Sequence, residues 1–121
     1  MRSAVDHAVC TSGALLSLFV VDRLFIAPFV RRRVKPSDVT ITRWFLVHAF
    51  ANLCVVVTGL RPLWATMTDP QHAGDATVYP DDSAFGASSA WPLTYINSVH
   101  IYHMVGGFKL AGADYFHHLL F

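Results

Sequence analysis

From Trp44 to Leu60 the chain carries no charged residue, and Arg43 and Arg61 bracket the run. Trp44 and Trp64 lie near its two ends, where the interfaces of a bilayer favour aromatic side chains. A segment of this kind is expected as a membrane helix, here from about Val39 to Leu60. A second apolar run, from about Ala8 to Val30, is long enough to cross roughly 30 Å of hydrocarbon at about 1.5 Å per residue. A third runs from about Trp91 to Leu110, with Pro92 in its first turn, where proline is tolerated. Ala111 to Phe121 begins a fourth stretch, too short to span alone. The expected architecture is all-α. It is an integral membrane helical bundle, a single membrane domain over residues 1–121, with three transmembrane helices plus the start of a fourth.

Composition supports this. Hydrophobic residues make up 54% and charged residues 14% of the chain, too apolar for an ordinary soluble domain. Arg31, Arg32, Arg33, Lys35 and Arg43 hold over half of the basic charge, beside the first apolar run. Such a cluster marks a membrane boundary rather than a nucleic-acid surface. Asp69, Asp75, Asp81 and Asp82 hold half of the acids, all within a polar loop at residues 62–90, and there is no glutamate. The positive-inside rule puts the basic link in the cytoplasm, stroma or matrix and the acidic loop opposite. Cys10 and Cys54 sit in different apolar segments and suit buried thiols rather than a disulfide framework. The N-terminus has no A-x-A cleavage pattern and reads as a retained helix.

Local signals give further expectations. Asp22 and Arg23 interrupt the first run. Arg23 is close enough to the basic end to snorkel, and Asp22 is expected to pair with Arg23 or with a neighbouring helix. Pro28 should kink or end that helix. Pro36 breaks the chain, and Ser37 or Asp38 can cap the helix that follows.

Three groups of side chains carry potential chemistry. His48 and Asn52 fall four apart on one helix face. Their ordinary role is interhelical hydrogen bonding; the sharper one is axial ligation of haem or chlorophyll by the imidazole. Asn97, His100 and His103 step by three and form a polar stripe that suits a substrate or lipid head group, with Tyr95 and Tyr102 adding hydroxyls. Asp114 reaches His118 at i+4, and His117 adjoins it, an arrangement suited to an imidazole base oriented by a carboxylate. The same pair also suits a solvated helix end. Lack of glutamate excludes an HExxH metal hydrolase, no metal site is expected, and there is no phosphate-binding glycine loop or nucleophile elbow.

Taken together, TRWFLVHAFAN (Thr42–Asn52), HIYHM (His100–Met104) and DYFHH (Asp114–His118) resemble the TLC domain of internal-membrane proteins. The resemblance covers residues 39–121, as the front part of that domain. It implies a multi-pass protein of an internal organelle, the endoplasmic reticulum first, with mitochondrial or plastid membranes as other hosts. It also implies a lipid-related role: acylation, sensing or transport. In the ceramide synthase branch the paired histidines belong to an acyltransferase site. By motif position these are His117 and His118, with Asp114 beside them, while Asn97, His100, His103, His48 and Asn52 would line the substrate path. Membrane lipids and other membrane subunits are the expected partners. Two alternatives stand beside this: a non-catalytic accessory subunit of a larger membrane complex, and a haem or pigment binder using the intramembrane histidines. The first two readings call for no cofactor.

Overall fold

A computed structural model of the chain describes residues 4–108 and Gly112. All regular structure among these residues is helical. Helix α1 (Ala4–Val21) passes through a π-helical turn (Asp22–Ile26) into α2 (Ala27–Arg33). A short 3-10 turn (Pro36–Asp38) leads into α3 (Val39–Thr68), and a long loop leads to α4 (Trp91–Val105).

Pro28 does not end the first helix. A π-helical turn lies just before it, where the Ala27 N–H reaches back five residues to the Asp22 carbonyl. Such a bulge absorbs the proline's clash without breaking the rod. The result is a continuous helical segment, Ala4–Arg33, of 30 residues. That is about 45 Å at 1.5 Å per residue, enough to cross a bilayer with tilt.

The second long segment, Pro36–Thr68, has 33 residues and is also apolar enough to cross. It extends past Pro62, which the sequence had assigned to the loop. The proline frees the carbonyl four residues before it, but threonines stitch the helix on either side. Thr58 Oγ1 donates to the Cys54 carbonyl at 2.7 Å, and Thr66 Oγ1 donates to the Pro62 carbonyl at 2.9 Å. Neither bond reaches the freed Thr58 carbonyl; the helix simply runs through Pro62 to Thr68. Asp38 occupies the N-cap position of α3 without a side-chain capping bond.

Helix α4 has 15 residues, about 22 Å at 1.5 Å per residue, and stops before the expected Leu110. Gly106 and Gly107 end it. Gly107 has φ +83°, a left-handed conformation that glycine adopts without steric cost. Helix α4 packs on both α1 and α3. Trp91 lies over Gly13 and Pro92 over Gly59, so small residues admit the wide start of α4. One stripe of α4 is buried: Thr94, Ser98, Val99, Tyr102 and His103. The core gathers Leu18, Val47, Ala51, Val99, Tyr102 and Phe108. Many large apolar side chains remain exposed, among them Phe25, Phe29, Phe45, Leu53 and Trp64. Exposed apolar surface on this scale marks a face made to meet a membrane or another protein.

Candidate functional site: a buried charge cluster beside stacked histidines

The π-helical turn that follows α1 delivers Asp22 into the centre of the bundle, where it is 0% exposed. Arg43, near the start of α3, grips it with two bonds: Nε to Oδ1 at 2.6 Å and an Nη to Oδ2 at 2.5 Å. Tyr102, on the last full turn of α4, donates its hydroxyl to Oδ2 at 2.5 Å. Three helical segments therefore meet at one carboxylate. A buried charge is tolerated only when paired and hydrogen-bonded, and Asp22 has both. The fork of the guanidinium matches the carboxylate, which fixes orientation as well as charge.

The cluster also closes the end of α4. The Gly106 carbonyl accepts from Arg43 at 2.9 Å and from Arg23 at 3.2 Å. Cations at a helix C-terminus complement the partial negative charge of its last carbonyls. Arg23 additionally lies over the Phe19 ring, 5.6 Å from its centroid. Of the two partners expected for Asp22, the structure selects the neighbouring helix, and Arg23 serves α4 instead.

A second arrangement adjoins the first through Phe108. Arg43 sits over the Phe108 ring at 4.4 Å, and the same ring meets His103 edge-on at 5.4 Å. His103, 0% exposed, stacks on Trp44 at 4.9 Å with 5° between planes. His48 lies 4.1 Å from His103 and 4.2 Å from Trp44, centroid to centroid. His48 Nδ1 donates to the Trp44 carbonyl at 3.1 Å, which makes Nε2 the lone-pair nitrogen of the neutral ring.

The predicted site residues thus divide. His48 and His103 come together, with Trp44 between their helices. Their rings face one another rather than aiming nitrogens at a shared centre, a poor arrangement for two axial ligands of one haem or pigment. His100 is half-buried on the same helix. Asn52 and Asn97 are exposed, contrary to the expectation that they face the interior of the bundle. Asp114, His117 and His118 lie outside the described residues. Among those described, no group of three or more His, Cys, Asp or Glu side chains is placed to hold a metal ion.

Sequence reasoning did not assemble Asp22, Arg43 and Tyr102. The available signal was the lone acid in an apolar run, which must find a cation. What the Asp22 carboxylate can do is limited by how fully it is engaged. Two guanidinium bonds and one phenol occupy its oxygens, so it is a lock on helix positions rather than a base. The histidine side of the pair keeps an imidazole lone pair, at His48 Nε2, inside an apolar helix.

At the far end, residues 69–90 are ordered by their aspartates. Asp69 binds the His72 ring at 2.9 Å and accepts from the Tyr79 hydroxyl at 3.1 Å. These bonds, His72 first, hold the Asp69 carboxyl below the usual carboxylate range. Thr77 does the same for Asp75, and Ser83 for Asp81. Asp81 also approaches Arg61 at 3.5 Å across an exposed surface. Ser88 Oγ donates to the Tyr79 carbonyl at 2.8 Å, so the acidic segment is a bonded loop despite its lack of period.

Comparison with models of protein families, with curated proteins and with solved structures gave no match.

Proposed function

We propose that this chain is a multi-pass membrane protein of the TLC type with a lipid-related role, in which α4 packs within the bilayer against the two long helices. The observation that supports the reading is the polar interior of an apolar helix cluster, with Asp22, Arg43 and His103 buried. Ionisable groups there are costly and mark function by default. In this interior one set, Asp22 with Arg43 and Tyr102, fixes the helices. The other, His48 with His103, sits in an aromatic wall beside it. The motif resemblance extends this to DYFHH, where His117 or His118 would move the proton in an acyl transfer, oriented by Asp114. The endoplasmic reticulum is the host membrane that the resemblance implies.

The test is acyl-CoA-dependent acylation of a long-chain amine, measured in membranes carrying the protein. His117→Ala or His118→Ala, whichever removes the base, should lower the rate by about 100-fold or more, the scale of a lost general base. Full activity in both variants would remove the catalytic role.

A non-catalytic subunit of a larger complex is the second reading, favoured by exposed Asn52 and Asn97. An amide facing hydrocarbon without a partner is costly, so a neighbouring protein segment would cover each. Under this reading Asn52→Leu and Asn97→Leu shrink the native complex on a blue-native gel. Unchanged size with raised stability would instead mean that both face lipid.

A further inference from the structure

The elbow between α2 and α3 combines two surfaces that the charge cluster and the histidine pair leave unused. One is basic. Arg31, Arg32, Arg33 and Lys35 are all exposed, and among the described residues none forms an ion pair with a carboxylate. The other is an apolar groove of about 580 Å³ between the first helical segment and α3, floored by Phe25, Phe29, Leu46, Phe50 and Leu53. The two are continuous. Phe25, Phe29 and Arg33 follow at steps of four along one helix face, and the Arg33 guanidinium lies over the Phe29 ring at 5.8 Å. The groove leads from the bilayer interior to the arginines at its boundary.

We propose that this surface binds an anionic glycerophospholipid, with an acyl chain in the groove and the head-group phosphate on Arg32 and Arg33. The inference rests on the membrane reading above but not on any catalytic role. Charge complementarity selects the occupant. Four exposed cations just beyond a membrane helix attract acidic lipids, each contributing roughly fivefold in affinity. A guanidinium also pairs with phosphate in a directed, bidentate way. The groove is shallow and open along one side, a shape that suits an acyl chain lying against the helices rather than an enclosed small molecule. Its walls offer an acyl chain close packing and no polar cost. A soluble phosphate would use the arginines alone, and nothing would then favour the apolar floor.

The experiment uses the full chain in phosphatidylcholine nanodiscs containing a minority of phosphatidylserine. Native mass spectrometry counts the lipids that the released protein retains. The expected result is retention of phosphatidylserine above its share of the bilayer. Arg32→Gln with Arg33→Gln should reduce that enrichment by up to roughly 25-fold, from roughly fivefold per charge. Ala49→Trp, which fills the groove from its exposed wall, should also release the lipid with all four cations in place. No enrichment in a fully inserted wild-type chain overturns the proposal and leaves the membrane reading standing. Enrichment that survives Ala49→Trp, or that millimolar inorganic phosphate abolishes, overturns the groove-bound lipid. A chain that alkaline extraction strips from the bilayer sinks both readings.

Discussion

Replacing Arg43 with methionine keeps much of the side-chain volume and removes the charge that holds Asp22. The carboxylate, 0% exposed, would be left with one neutral donor, the Tyr102 hydroxyl. Two charge-assisted bonds at about 1.5–3 kcal/mol each are lost. Breaking a buried ion pair from one side costs about 3–5 kcal/mol, because the remaining charge has neither water nor partner. Arg43→Met is therefore expected to destabilise by about 3–5 kcal/mol. Removing the whole cluster with Asp22→Leu, Arg43→Met and Tyr102→Phe should bring the loss back to within about 1–2 kcal/mol, since no orphaned charge remains. Arg61→Met is the control. Its partner Asp81 lies at 3.5 Å with both side chains more than half exposed, so about 0–1 kcal/mol is at stake. Stabilities would be read from reversible unfolding in mixed micelles titrated with dodecyl sulfate, using a double-mutant cycle for Asp22 and Arg43. A loss for Arg43→Met no larger than that for Arg61→Met would refute the lock. So would a triple variant that loses the sum of its parts.

Two further outcomes follow from the geometry. A Cβ at Gly106 would lie 2.6 Å from the Tyr102 carbonyl oxygen, and Gly107 holds φ +83°; Gly106→Ala and Gly107→Val should each cost about 1–3 kcal/mol in the same titration, and a neutral result would contradict the tight end of α4. In the loop, the depressed Asp69 carboxyl contributes stability that is full above the unfolded carboxylate range, about 3.9, and is lost as pH falls through the lower folded value. Amide exchange across residues 69–79, corrected for intrinsic rates, should therefore be slower at pH 6 than at pH 3, and Asp69→Asn should reduce the difference, leaving the part that Asp75 contributes.

The long apolar elements were legible because their signal is local. Length and lack of charge suffice for a membrane-sized helix, and Arg43 and Arg61 lie on either side of the uncharged run as the sequence suggested. The ends were less legible. Pro62 reads as a breaker, yet α3 continues through it to Thr68. Pro28 is passed by a π-helical turn that no periodicity announces. Conversely, Gly106 and Gly107 end α4 earlier than its apolar pattern suggests. Within the candidate site, His48 and His103 were identifiable as polar residues in apolar helices, but their mutual stacking depends on how α3 crosses α4. Asp22 was visible as a charge in need of a partner. Choosing Arg43 over the adjacent Arg23 required tertiary geometry, since neighbours in a helix point away from each other.

The central claim is that two long helices cross a bilayer and place the basic elbow and the acidic loop on opposite sides. Single cysteines introduced at Ser37 and at Ser83, both exposed, in a background lacking Cys10 and Cys54, test it directly. In sealed vesicles with the cytoplasmic face inward, an impermeant maleimide should label Ser83→Cys at once and Ser37→Cys only after permeabilisation. Equal labelling of both sites from outside would contradict the crossing, and the reverse pattern would contradict the orientation.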